Sequence, residues 1–187
     1  MTLREYTSSL KPSIVAAFRR HDRNGDGIIT EAESHESVTA KERYTNDRER
    51  VMEPRLGVSS DIVVPDNITI ADIDVQFAAR HNGPEQFTAI LTSPSGQSVE
   101  LFNGKGKRWR GSNFIDTILD DEAPSSITNA SPPFEGIYQS DGVGQRKTSL
   151  SAFYGKPARG TWRLELRTTT SPQPGVFHGW SLLIEPR

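Results

Sequence analysis

From Ser59 onward the apolar residues of this chain recur at every second position, and that period restricts the fold more than any other feature of the sequence. Ile62/Val64, Ile68/Ile70, Ile73/Val75/Phe77, Phe87/Ala89/Leu91, Val99/Leu101, Trp162/Leu164/Leu166 and Trp180/Leu182/Ile184 each alternate with polar neighbours. Successive side chains of a strand point to opposite faces, so the alternation predicts antiparallel strands with one face buried and the other in water. Turn formers separate the runs: Pro65-Asp66-Asn67, His81-Asn82-Gly83-Pro84, Ser93-Pro94-Ser95-Gly96, Lys156 to Gly160 and Ser171 to Gly175. Short strands so punctuated predict a mainly β fold over 58–187, a jelly roll or related β-sandwich.

Residues 1–57 read as a separate helical segment. Pro12 and Ser13 can open a helix whose Ile14, Val15 and Phe18 share one stripe. A second helix is expected over roughly Glu31 to Met52, where Val38, Tyr44, Val51 and Met52 give only a thin apolar face; Pro54 and Gly57 would end it. Between the two lies Asp22-Arg23-Asn24-Gly25-Asp26-Gly27-Ile28-Ile29-Thr30-Glu31-Ala32-Glu33. Oxygen-bearing side chains stand at positions 1, 3, 5, 9 and 12 of this window and glycine at position 6, which is the ligand spacing of an EF-hand loop. Asp22, Asn24 and Asp26 offer hard oxygens, and Gly27 permits the sharp turn. Ile28 would contribute its carbonyl, Thr30 a direct or water-mediated ligand, and Glu33 a bidentate carboxylate that favours Ca²⁺ over Mg²⁺. A plain Asx-Gly turn would have no use for Thr30 and Glu33 in register. The window has no second copy: Thr45-Asn46-Asp47-Arg48-Glu49 lacks both glycine and spacing.

Charge excludes one class of partner. Lysine plus arginine number 22 against 24 acidic residues, a net charge of −2, so no basic excess is available for nucleic-acid phosphates. No apolar run reaches the ~18 residues that a membrane span requires. Met1 to Leu10 lacks the apolar core of a secretory signal. Cysteine is absent, which removes disulfides, thiolate nucleophiles and thiolate metal sites together.

Two stretches of the β segment carry dense charge. Gly104 to Gly111 is basic and glycine-rich around Trp109, a pattern that serves either an anionic contact or a solvated hairpin loop. Asn113 to Ala123 places Asp116, Asp120, Asp121 and Glu122 within seven residues. Carboxylates so close repel one another unless a cation or open solvent relieves them.

Six short motifs stand in order along the β segment: Ser93-Pro94-Ser95-Gly96, Asn113-Phe114-Ile115-Asp116-Thr117 running into Asp120-Asp121-Glu122-Ala123, Pro133-Phe134-Glu135-Gly136-Ile137-Tyr138, Leu150-Ser151-Ala152-Phe153-Tyr154-Gly155, Gly160-Thr161-Trp162-Arg163-Leu164 and Gly179-Trp180-Ser181-Leu182. In this order they resemble the P domain (P/Homo B domain) that follows the catalytic domain of subtilisin-like proprotein convertases and of many bacterial secreted proteases. The resemblance implies a jelly-roll sandwich that stabilises or regulates a neighbouring protease, often with bound calcium. It makes Asp116, Asp120 and Asp121 the candidates for a second calcium site. The chain departs from many relatives after His81, where Gln86 stands at the position of an aspartate and Glu85 is the nearest carboxylate. The resemblance also implies an extracellular or periplasmic setting, although no signal peptide is evident.

Catalysis is not expected. A subtilase holds Ser, His and Asp together beside an oxyanion hole, and none of His21, His35, His81 and His178 is accompanied by a nucleophile-elbow serine. Adjacent aspartates on one loop serve a cation better than the two faces of a sugar. The sequence therefore predicts a calcium-binding accessory module whose partner is a protease or another secreted or cell-surface protein. The alternatives are the non-catalytic end of a secreted serine endopeptidase and a free-standing calcium sensor.

Overall fold

In a computed structural model, the described residues are 41–81, 87–104, 113–141, 149–168 and 174–187. The expected helix opening at Pro12, the EF-hand window 22–33, the basic loop 104–111 apart from Gly104, and the Glu85-Gln86 departure lie outside them. The chain divides between residues 40 and 41, and every described residue belongs to the unit Lys41–Arg187.

Among the described residues this second unit is built from two facing β-sheets with almost no helix. In chain order the strands are β1 (Glu42–Asn46), β2 (Arg50–Met52), β3 (Val58–Val64), β4 (Ile70–Arg80), β5 (Phe87–Thr92), β6 (Ser98–Asn103), β7 (Asn113–Leu119), β8 (Phe134–Tyr138), β9 (Gly160–Thr168) and β10 (Gly175–Pro186). One sheet runs β1-β10-β4-β7-β8, with β2 also paired to β10; the other runs β3-β9-β5-β6. Every pairing is antiparallel except β7 with β8. Two short 3-10 turns, Ile127–Asn129 and Leu150–Phe153, bridge the longer connections.

The period-two residues meet between the sheets. Ile73, Val75 and Phe77 of β4, Phe87, Ala89 and Leu91 of β5, Trp162, Leu164 and Leu166 of β9 and Trp180, Leu182 and Ile184 of β10 are all buried in one core. Phe114 is the hub of its aromatic centre. Its ring lies 4.9 Å from Phe77, 4.8 Å from Phe134 and 5.4 Å from Phe102, spacings at which each pair adds about 0.5–1.5 kcal/mol beyond area burial. Trp162 meets Phe153 edge-on and donates its Nε1 proton to the Ala158 carbonyl at 2.7 Å, so its one polar atom is satisfied inside the core.

The helix expected over Glu31 to Met52 is not what residues 42–52 form. They make strands β1 and β2, both laid along β10, with Glu42 opposite Ile184 and Met52 opposite Gly175. The physical reason is what each structure could bury. A helix would have shown solvent a nearly polar cylinder, and short helices without a packed face are marginal. As strands the same residues complete the backbone ladder of β10 and turn Tyr44 and Met52 onto the core. Pro54 and Gly57 end no helix; they close a tight turn in which Gly57 and Leu56 donate to the Glu53 carbonyl and Glu53 donates to Gly57. Gly57 has φ +90°, and a Cβ there would stand 1.9 Å from the Leu166 carbonyl oxygen, so both conformation and space require glycine.

Candidate functional site

The carboxylates after β7 are set by the turn that ends the strand. Asp120 donates its backbone N–H to the Tyr138 carbonyl at 3.0 Å, and its Oδ1 accepts from the Glu122 N–H at 2.7 Å, an Asx turn that fixes both backbones. Asp121 points elsewhere. Its Oδ1 accepts from the Ser140 hydroxyl and its Oδ2 from the Ser151 N–H, each at 2.8 Å. It thus ties the β7–β8 connection to the 3-10 turn that leads into β9. Asp116 is exposed in the middle of β7, at a left-handed φ of +46°. The three residues named as a second calcium site are therefore an exposed strand residue, a turn cap and a fully engaged tie. Among the described residues no three His, Asp or Glu side chains are grouped to hold a metal ion.

What does converge there is a polar cluster that spacing did not reveal. Asp72 and Asp74 alternate along β4 with Ile73 and Val75, which places them on the sheet face turned away from the core. Lys41, just before β1, donates to Oδ2 of Asp72 and to Oδ2 of Asp74, the latter at 2.7 Å. Tyr154 follows the 3-10 turn and presses its hydroxyl 2.5 Å from Asp72 Oδ1 and 3.0 Å from Glu122 Oε1. Four chain segments thus deliver carboxylates, a phenol and one ammonium to a single patch. Alternation of Asp72-Ile73-Asp74-Val75 was the available signal, since it marks two carboxylates on one face of a strand. Their partners come from across the sheet, which no spacing encodes.

The electrostatics follow from too many carboxylates for one lysine. Burial pushes Asp74 up to about 7; Lys41 opposes the shift, while Asp120 and Asp72 add to it. Burial also raises Glu122 to about 7, helped by a hydrogen bond with Asp120 and by the charge of Asp72. For Asp72 burial acts in the same direction, but hydrogen bonds from Lys41 and Tyr154 outweigh it and hold it below the usual aspartate range. Burial disfavours the charge of Lys41, yet the attraction of Asp74 and the hydrogen bonds to both aspartates overcome it and hold the ammonium above the ordinary lysine value. The Tyr154 phenol is raised, first by burial and then by Asp72.

The described histidines take no part. His81 is buried with its ring 4.6 Å from Phe87. His178 is exposed and its Nδ1 is 2.9 Å from Glu49.

Residues 70–184, well over half of the sequence, match the family model of the proprotein convertase P-domain. The chain belongs to that family. The matched stretch opens at the first residue of β4 and closes inside β10, so it takes in strands of both sheets and the whole of the acidic turn. β1, β2 and β3 lie before the matched residues. Similar solved structures include the serine protease of Aeromonas sobria and the same protease in complex with a chaperone. Both are 18% identical to this chain, with TM-scores of 0.45 and 0.44. Each similarity covers 83% of this chain and 29% of that protease, so the P domain here spans less than a third of those proteins. No curated protein sequence matches the chain. Among the described residues no helix is long and apolar enough to cross a membrane.

Proposed function

We propose that this chain is a non-catalytic accessory module of a subtilisin-like serine protease, with its β-sandwich folded as a P-type jelly roll and its EF-hand window binding calcium. The observation that carries the reading is the P-domain family match laid over a closed two-sheet core. A sandwich with this much aromatic packing is a rigid platform. Stabilising a partner requires that, since a partner gains only from surfaces that do not have to order on binding. The protease itself is a partner outside this chain, in an extracellular or periplasmic setting where calcium is plentiful.

Calcium is assigned to Asp22, Asn24, Asp26, Ile28, Thr30 and Glu33 on their spacing, and not to the sandwich. The protease relationship is tested by mixing the purified chain with the catalytic domain of a subtilisin-like protease, and following that domain's melting temperature and residual activity. The expected result is a higher melting temperature for the catalytic domain and no peptide hydrolysis by the chain alone. Hydrolysis by the chain alone that a serine-directed inhibitor abolishes would overturn the non-catalytic assignment.

A further inference from the structure

A cleft opens where the turn joining β5 to β6 faces the segment that leads into β9. The turn is closed by hydrogen bonds from the Ser93 N–H to the Gln97 carbonyl and from the Gly96 N–H to the Ser93 carbonyl, each at 2.9 Å. The facing segment is tied to the start of β4. Gly155 and Ala158 donate to the carbonyls of Ile70 and Ile68 at 2.8 and 2.9 Å, and the Ile70 N–H donates to the Lys156 carbonyl at 3.0 Å. Pro94 packs directly on the backbone of Gly160, with its Cβ 2.6 Å from where a Cβ of that glycine would stand. Buried Phe153 and Trp162 form the floor of the cleft, and the exposed residues Pro94, Pro157, Lys156 and Arg159 line it above them. Walls fixed in this way need no ordering when a ligand enters.

We propose that this cleft docks an acidic peptide segment of a partner protein, seating one apolar side chain between Pro94 and Pro157 while flanking carboxylates pair with Arg159 and Lys156. Its volume is about 270 Å³, just below the roughly 300 Å³ at which small-molecule pockets begin, so it suits a single large side chain. Among the described residues no carboxylate lines it. Its positive charge is therefore unspent. The Lys156 ammonium, a triple donor, gives one proton to Gln97 Oε1, and the Arg159 guanidinium makes no hydrogen bond or ion pair among the described residues. Net charge decides among anionic partners. The chain as a whole carries −2, so nucleic acid or an acidic membrane meets repulsion beyond the cleft. A short segment stays within about one Debye length, ~10 Å, of the two cations. The docking needs neither the protease assignment nor calcium, so its failure and that of the proposed function are separable.

The test is a ¹H–¹⁵N NMR titration of the full chain with a blocked pentapeptide, a phenylalanine flanked on each side by two glutamates, and with its glutamine counterpart. The expected result is saturable shifts of the Trp162 indole N–H and of the Ser95, Lys156 and Arg159 amides, with a Kd on the order of 10⁻⁴ M. The glutamine peptide should bind about tenfold more weakly or worse. Arg159→Glu should weaken the glutamate peptide by about tenfold or more, whereas Arg48→Glu, the same change of charge outside the cleft, should alter it less than about twofold. Shifts that do not saturate at millimolar peptide overturn the proposal, as do equal affinities for the two peptides or equal losses in the two variants. Sodium acetate that reproduces the shifts at the same concentration would leave only an anion site. Vesicles of anionic phospholipid that bind the chain and displace the peptide would make it a lipid site; both outcomes overturn the peptide reading. The comparison of the two peptides decides the matter even if Arg159→Glu folds poorly.

Discussion

Trp162 shows how much one residue can hold. It is 1% exposed, packed edge-on against Phe153, with its indole proton spent on a buried carbonyl. Truncation leaves both a cavity and an unpaired acceptor, so Trp162→Ala is expected to cost about 3–5 kcal/mol, read from urea unfolding of the full chain. A near-neutral result would contradict the inward register of β9. Asp121 carries a different lesson. Both its oxygens serve protein donors, so Asp121→Ala orphans Ser140 and the Ser151 N–H and is expected to destabilise by about 1–3 kcal/mol. The loss should be the same in calcium and in chelator, measured by paired melting curves. A loss confined to calcium would restore Asp121 as a metal ligand.

At the scale of elements, β10 organises the larger sheet, since β1, β2 and β4 all pair with it. Gly179 is where β1 comes closest: its φ is +142°, and a Cβ would stand 2.8 Å from the Asn46 carbonyl oxygen and 2.8 Å from Asp47 Cα. Gly179→Ala therefore strains β10 and pushes the end of β1 away. We expect a loss of more than about 1 kcal/mol, with faster amide exchange confined to residues 42–47; uniform protection would refute the placement. How legible each element was follows from its surroundings. β3, β4, β5, β6, β9 and β10 were readable because each turns a period-two set of apolar residues onto the core. β7 was hidden because its buried set includes Thr117, whose hydroxyl donates to the Phe134 carbonyl at 2.6 Å and so satisfies a polar group inside the sheet. β8 is a five-residue strand with a central glycine, and its parallel partner is remote in sequence. β1 and β2 were misread because an edge strand draws its stability from the neighbour's ladder, which local apolar periodicity does not record.

For the whole molecule, pH acts on two opposed sets of carboxylates. Asp72 and Asp61 are lowered, the latter by Arg163 hydrogen bonds, so the stability they contribute is present above the ordinary aspartate value and lost as pH falls through their lowered ones. Asp74 and Glu122 are raised to about 7, so each holds its proton more tightly folded than unfolded, and stability is lost as pH rises toward and through about 7. The melting temperature should therefore peak on the mildly acid side of neutrality; a maximum at or above pH 8 would contradict both raised groups. Calcium, on the proposed reading, acts on the other unit. The acidic turn was visible as a charge cluster in the sequence, but its counterion was not, because Lys41 lies outside the turn and is brought to it by pairing of β1 with β10 and β10 with β4. On that reading Lys41 is the counterion of the sandwich cluster, and calcium goes to the ligand spacing of the window 22–33. Calorimetric titration of the chelator-stripped chain is then expected to show a single binding event, which Glu33→Gln weakens by removing the bidentate ligand. The sandwich transition in differential scanning calorimetry should stay where it is. A second binding event, together with an upward shift of that transition, would put calcium in the sandwich and displace Lys41 as its counterion.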